Sequence, residues 1–231
     1  MIFNFMIKDF FDLIFPDICI SCEKALLKGE KHICIKCMHK LPKTDFHYRR
    51  DNSLCKKLWG RIPLKYGLAY LEFNKGGSVQ NIMHHIKYKD AKTAAVMLGN
   101  WYGEDLYKAE FSDKFDLIVP VPLHKRKFQK RGYNQSACFA QGLSEGLAID
   151  YSEKPLVRSR EQSSQTNKGR MDRWSNVKEI YQVRESSEIK GKKILLADDI
   201  ATTGATLEAC AQALLIAGAK EISVAVMAIA L

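Results

Sequence analysis

The sequence lacks a long uninterrupted hydrophobic run. The nearest candidate is the segment 1–15, which Lys8, Asp9 and Asp12 interrupt. A bilayer-spanning helix needs about 20 apolar residues, and a secretory signal needs a continuous apolar core, so this segment fits neither. We therefore predict a cytoplasmic protein without a transmembrane span. The apolar residues of the segment recur near helical spacing, which indicates a docking helix or, alternatively, a helix in peripheral contact with a membrane.

Acidic residues are scarce relative to basic ones. The chain of 231 residues has 26 Asp and Glu against 36 Lys and Arg, for a net charge of +10. Two segments, 120–135 and 154–184, each carry a charge of +5, so together they equal the net charge of the whole chain. This distribution indicates an anionic ligand, but charge alone does not distinguish a diphosphate from a nucleic acid.

Disulfide bonds are not expected, because seven cysteines in a chain of cytoplasmic character favour thiols or metal ligands. Two Cys-x-x-Cys pairs are separated by eleven residues. Four thiolates at this spacing can surround one zinc ion tetrahedrally, which predicts a structural site with no open position for water. Two redox-active pairs are the competing interpretation. The predicted zinc ligands are Cys19, Cys22, Cys34 and Cys37.

The strongest functional signal lies in residues 194–206. An apolar run up to Ala197 predicts a buried strand, which two carboxylates, Asp198 and Asp199, are expected to end. Small hydroxyl residues then surround Gly204 at the start of a predicted helix, where backbone N–H groups can bind a phosphate. The acids could accept hydrogen bonds from sugar hydroxyls. The acids and the N–H groups together predict a site for a phosphorylated sugar. Alternatively, the acids only end a strand and the threonines only cap a helix.

A basic loop is predicted after the strand at 115–119. Two prolines stop that strand, and the following residues 124–135 are rich in lysine and arginine. A loop at the carboxyl end of a sheet strand is where an open α/β fold binds its ligand, and the arginine fork suits a diphosphate. Asn134 is expected to cap the next helix. The candidate diphosphate residues are Pro122, Arg126, Arg131 and Asn134.

Residues 151–190 form a polar, basic stretch between two predicted strands. Its charge and its position favour a lid over the ligand, while an ordinary surface loop is the alternative. The lid candidates are Arg158, Gln165, Arg170 and Arg173.

Another basic set falls on the helix predicted after Gly77. Lys87 could approach a phosphate from there, although a solvated basic face is the commoner explanation. The set comprises His84, His85, Lys87 and Lys89.

The run from Asp198 to Thr206 resembles the phosphoribosyl pyrophosphate (PRPP) motif of type I phosphoribosyltransferases. Together with the four cysteines, the Pro-Val-Pro-Leu and Arg131-Gly132-Tyr133-Asn134-Gln135 segments, and the lid candidates, it resembles the ComF family of competence-associated phosphoribosyltransferase-like proteins. The resemblance implies an α/β, type I phosphoribosyltransferase fold, with a mostly parallel open sheet flanked by helices, over residues 61–231. A helix and zinc module would occupy residues 1–60. The residues expected to bind PRPP are Asp198, Asp199, Ile200, Ala201, Thr202, Thr203, Gly204, Ala205 and Thr206.

Three functions follow from this resemblance and from the charge. The first is a PRPP-binding component of DNA uptake (competence) or DNA processing, with single-stranded DNA or DNA-uptake proteins as partners. The second is an active phosphoribosyltransferase of nucleotide salvage or synthesis, in which Asp198 and Asp199 are catalytic and magnesium accompanies PRPP. The third is a nucleic-acid-binding protein on an inactive enzyme scaffold. Because the printed sequence ends just after its last predicted strand, a base-recognising segment is expected before residue 115, but no such pattern stands out there.

Overall fold

The structure is a computed structural model that describes residues 16–158 and 181–230. Its centre is a parallel four-stranded sheet, and a short antiparallel pair lies beside it. The strands are β1 (Leu64–Phe73), β2 (Leu117–Pro120), β3 (Leu156–Arg158), β4 (Tyr181–Val183), β5 (Lys193–Ala201) and β6 (Glu221–Ala230). The main sheet has the order β1-β6-β5-β2, and β3 pairs with β4. The predicted mostly parallel sheet is confirmed.

Helices cover both faces of the main sheet. They are α1 (Ile35–His39), α2 (Ser53–Leu58), α3 (Ser78–Tyr88), α4 (Lys92–Lys108), α5 (Lys125–Arg131), α6 (Gln135–Leu147) and α7 (Ala205–Ile216). Buried side chains of α3, α4 and α6 pack on one face, and those of α2 and α7 pack on the other. Parallel strands need such cover because both of their faces are apolar.

The central strand β5 shows why the sheet is buried on both sides. Leu195 and Ala197 contact the core under α4 and α6, whereas Ile194 and Leu196 contact the core under α2 and α7. Alternate residues of a strand point to opposite faces, so a continuous apolar run supplies both layers. This burial fixes the position of the residues that follow Ala197.

Glycines bring α4 and α6 into close contact. Gly99 and Gly103 of α4 face Gly142 and Gly146 of α6, and a Cβ atom on Gly103 would lie 2.9 Å from the Cα atom of Gly146. No larger residue fits this helix pair without a backbone shift. The N-terminus of α6 is therefore held at a fixed position relative to the sheet.

The four-cysteine segment packs on the same core as the sheet. Ile20 and Ile33 are buried in the cluster that α3 and α4 form with β1. The Asn81 side chain donates to the Ser21 carbonyl at 3.1 Å, and the Thr93 hydroxyl lies 2.9 Å from His32 Nε2. The domain boundary predicted near residue 60 stays a prediction.

The chain that leaves this segment runs along the outer edge of β1. The Thr44 N–H donates to the Tyr70 carbonyl, and the Glu72 N–H donates to the Pro42 carbonyl. These bonds pair an edge strand that would otherwise present free backbone groups.

Three expectations about local structure are corrected. Strand β5 does not end at Ala197, because β6 continues to pair with it through Ile200 and Ala201. The basic loop contains helix α5, whose seven residues lie between a His124 cap and Gly132 at a φ of 76°. His85 is buried instead of sharing a solvated face, with Nε2 3.8 Å from a Glu23 carboxylate oxygen.

The predicted segment 1–15 lies outside the described residues, as do residues 159–180. Within the ranges given above, no helix is both long enough and apolar enough to span a bilayer.

Candidate functional site

The site centres on Asp198, which lies inside β5 and is 9% exposed. Its Oδ1 atom accepts hydrogen bonds from the Ser136 hydroxyl and the Asp199 N–H, both at 2.8 Å. Burial and the neighbouring Asp199 charge raise the pKa of Asp198 to about 7, although the Ser136 bond acts in the opposite direction. Asp198 is thus held in one orientation and titrates near neutral pH.

The second carboxylate, Asp199, is half-buried and pairs with a lysine. Lys87 Nζ of α3 lies 2.9 Å from Asp199 Oδ2, and both side chains are largely shielded from solvent. The alternative of a fully solvated basic face does not hold for Lys87. This ion pair places one positive charge at the carboxyl edge of the sheet, next to the two acids.

The loop after β5 requires a glycine. Gly204 is buried and has a φ of 80°, and a Cβ atom there would lie 2.9 Å from Leu58 of α2. The N–H groups of Thr202, Thr203 and Gly204 donate to no acceptor among the residues that the structure describes. Free amides at the start of a helix favour an anion through hydrogen bonds and through the helix dipole.

Arg61 holds this loop and was not anticipated from the sequence. Its guanidinium donates to the Thr203 carbonyl at 3.0 Å and lies 3.6 Å from a Glu208 carboxylate oxygen. Arg61 precedes β1 by three residues and belongs to no recognisable motif. Only the fold brings it to the loop, 142 residues later in the chain.

The N-terminus of α6 joins the basic segment to the acids. Asn134 caps α6 as predicted, and its amide donates to the Val121 carbonyl at 3.0 Å, next to half-buried Pro122. Ser136, which sequence reasoning missed, follows two residues later and contacts Asp198. A serine in a helix carries no distinctive signal, so this contact could be found only from the fold.

The two predicted diphosphate arginines differ in their surroundings. Arg131 is half-buried, donates to Gln135 at 2.9 Å and lies 5.5 Å from the centre of the Tyr88 ring. Arg126 is exposed on α5, and its side chain contacts neither acid. Contacts with Gln135 and Tyr88 therefore hold Arg131 in place, whereas Arg126 is exposed to solvent.

One lid candidate is described. Arg158 ends β3 and lies 5.5 Å from the centre of the buried Tyr181 ring on β4. Burial raises the pKa of Tyr181 to about 12. The other candidates, Gln165, Arg170 and Arg173, lie outside the described residues, so the lid stays a prediction.

The four predicted zinc ligands form a cluster. The Sγ atoms of Cys19, Cys22, Cys34 and Cys37 all lie within 4.8 Å of one another. The Cys34 N–H donates to Cys19 Sγ at 3.3 Å, and the Glu30 carboxylate accepts the N–H groups of Leu27 and Ile35 at 2.7 and 2.8 Å. Burial acts to raise the pKa of Cys19, but N–H donors, among them Cys34, outweigh it and lower the pKa to about 7. The cluster has the donors and the spacing to bind a metal ion such as zinc.

Known proteins resemble this chain over the residues that form the site. Residues 134–229 match the model of the phosphoribosyl transferase domain. The DNA utilization protein YhgH of Escherichia coli strain K12 is 28% identical over 211 residues, covering 90% of this chain and 88% of that protein. The competence protein ComFC of Bacillus subtilis strain 168 is 27% identical over 207 residues, covering 88% and 80%. The chain is a homologue of these proteins. The resemblance to the ComF family is thereby confirmed.

A solved structure is also similar. The hypoxanthine phosphoribosyltransferase of Staphylococcus aureus aligns with 58% of this chain and 62% of its own, at 18% identity and a TM-score of 0.37.

Proposed function

We propose that this ComF homologue binds PRPP at the carboxyl edge of β5. The observation that carries the proposal is the pairing of two acids with an adjacent anion site. Asp198 and Asp199 precede free backbone amides at the start of α7, and a ribose phosphate has hydroxyls for the acids and a phosphate for the amides. A nucleic-acid backbone would have no need of the two carboxylates.

The neighbouring residues support this assignment. Lys87 forms an ion pair with Asp199, and Arg61 donates a hydrogen bond to the loop after β5. Arg131 lies on the chain segment that carries the predicted diphosphate residues. Magnesium bound with PRPP would neutralise part of the diphosphate charge, and carboxylate oxygens such as those of Asp199 are ligands that it accepts. The metal that we propose for the four-cysteine cluster is zinc, in a structural role.

The names of the relatives support a place in DNA uptake or DNA processing. YhgH is named a DNA utilization protein and ComFC a competence protein, and the alignments extend over most of each protein. We extend that role to this chain, with PRPP as the ligand and single-stranded DNA or DNA-uptake proteins as partners in the cytoplasm.

Phosphoribosyl transfer is a second function, favoured by the domain match over residues 134–229. In that reaction the acids and the loop would hold the ribose phosphate while a nitrogen nucleophile attacks C1 and diphosphate departs. Catalysis would rest on positioning and charge stabilisation, without a covalent intermediate. Release of diphosphate in a screen of nucleobases would distinguish this function from binding alone.

Calorimetric titration with PRPP and magnesium tests the binding proposal. We expect the wild-type protein to bind and the double variant Asp198→Asn with Asp199→Asn to lose binding, because both acceptors of the ribose hydroxyls lose their charge. Each lost charge-assisted hydrogen bond costs about 1.5 to 3 kcal/mol.

The matched control is Glu185→Gln with Glu188→Gln, two acids that precede the amino-terminal end of β5, whereas the site lies towards its carboxyl end. It removes the same charge and should bind PRPP as the wild type does. Unchanged PRPP affinity in the folded Asp198 and Asp199 variant would refute the proposal.

A further inference from the structure

A cavity lies away from the acids, where the amino-terminal half of β1 meets the end of α4. Its volume is about 270 Å³. Asp198 of β5 pairs with Val226 of β6, which in turn pairs with Ala69 of β1. The cavity contacts residues 65–68 of β1, which precede Ala69. The cavity therefore lies towards the opposite edge of the sheet from the loop after β5, and the proposed PRPP site does not use it.

Positive charge dominates the lining of this cavity. Four basic side chains line it, against one carboxylate, that of Glu110. No acid within residues 16–158 or 181–230 lies within ion-pairing distance of Arg49, Arg50 or Lys65, while Lys114 pairs with Asp113 at 2.7 Å. Unpaired cations grouped around a concave surface attract an anion. The basic residues are Arg49, Arg50, Lys65 and Lys114.

Aromatic rings share the cavity with these charges. Tyr48 is 71% exposed, and the Tyr66 ring is held edge-on by Phe111 at 5.2 Å between ring centres. The Arg50 guanidinium lies 5.8 Å from the centre of the Tyr66 ring. Flat, partly exposed rings and guanidinium groups provide stacking surfaces for a nucleobase. A site for a bare anion would not need them.

The wall that carries the arginines is fixed to the sheet. The Asn52 side chain donates to the Arg49 carbonyl at 2.7 Å and to the Gly67 carbonyl of β1 at 2.9 Å. The Asn52 oxygen also accepts the Cys55 N–H at the start of α2. These bonds hold the backbone of the basic segment in place before any ligand arrives, which lowers the entropic cost of binding.

We propose that this cavity binds a nucleotide, with its phosphate against Arg49, Arg50 and Lys65 and its base against Tyr48 and Tyr66. The same contacts would bind a free nucleotide or a nucleotide within a single strand of DNA. The site is separate from the carboxylate site, so the inference does not depend on PRPP binding.

The test is fluorescence titration of the full chain with two probes, thymidine monophosphate and a short fluorescent oligothymidylate. Arg49→Ala with Arg50→Ala should weaken binding of the preferred probe at least about tenfold, because two charge-assisted contacts are lost. Tyr48→Ala should weaken it about tenfold through lost stacking. Tighter binding of the monophosphate identifies a free nucleotide as the source, and tighter binding of the oligonucleotide identifies a strand.

Two matched variants control for charge and for ring removal. Lys190→Ala with Lys220→Ala removes two exposed charges beside the turn before β6, and Tyr107→Ala removes an exposed tyrosine that does not line the cavity. Both should bind like the wild type, and all variants should keep the wild-type response to PRPP. Binding of neither probe would overturn the proposal, as would equal losses in the cavity variants and their controls.

Discussion

The four-cysteine segment and the site after β5 are positioned by different forces. Residues 16–40 bury few side chains, among them Ile20 and Ile33, and converge on four sulfur atoms. The site after β5 is fixed instead by the apolar strand before it and by side chains from distant helices. A metal ligand set can be recognised from spacing alone, whereas a site built on a sheet depends on neighbours that the local sequence does not contain. The following predictions test that difference, from the largest effect to the smallest.

The largest effect is expected from Cys34→Ser. Loss of one thiolate should abolish zinc binding, and structural zinc contributes apparent binding energies of about 10 to 16 kcal/mol in zinc-finger peptides. Elemental analysis should find zinc in the wild-type protein and none in the variant, and hydrogen exchange should accelerate in residues 16–40 while β5 stays protected.

Cys138→Ser is the matched control for this prediction, since Cys138 lies on α6 outside the cluster. It should retain the metal. Reductively purified wild-type protein without zinc would contradict the assignment.

Asp198→Asn should change how stability depends on pH. Because burial raises the pKa of Asp198 from 3.8 to about 7, protonated Asp198 favours the folded state. This contribution is complete below about pH 4 and is lost as the pH rises through about 7. The asparagine variant should therefore gain stability relative to wild type as pH rises, on the order of 1 to 4 kcal/mol by about pH 8.

Urea unfolding of both proteins across that pH range measures the difference. A constant difference between about pH 4 and pH 8 would show that Asp198 does not titrate as expected.

Gly204→Ala should have a smaller effect on stability and a clear effect on the ligand loop. The positive φ disfavours any side chain, and a methyl group would lie 2.9 Å from the end of the Leu58 side chain, which would have to shift. Such strain costs about 1 to 3 kcal/mol. Thermal unfolding should show the loss, and PRPP affinity should fall because the amides of Thr202 and Thr203 shift.

Gly76→Ala is a matched control, because Gly76 also has a positive φ but has open space around it. It should lose stability without losing PRPP affinity. Equal PRPP affinity in Gly204→Ala and wild type would argue against a phosphate at this loop.

Local patterns predicted much of this fold. The apolar run up to Ala197 forms a buried part of β5, and Asn134 caps α6 as expected. The apolar runs and the cap residue act through neighbours in sequence, which is why they can be recognised without the structure. The basic segment was predicted as a loop because two prolines were expected to stop the preceding strand, but its lysines and arginines form helices well and produce α5.

The candidate site was only partly predictable. The sequence motif identifies Asp198, Asp199 and Gly204. The roles of Ser136, Arg61 and Lys87 depend instead on packing across the sheet. Ser136 contacts Asp198 across 62 positions in the chain. Single residues of common types carry no spacing signal, so such contacts require the tertiary structure.

The short segment at 42–44 links the metal cluster to the solubility of the protein. It occupies the outer edge of β1 through backbone bonds to Tyr70 and Glu72. An edge strand without such a neighbour is a template for pairing with another chain. Metal depletion should therefore appear first as self-association of the protein through β1, before any loss of PRPP affinity at the carboxyl end of β5.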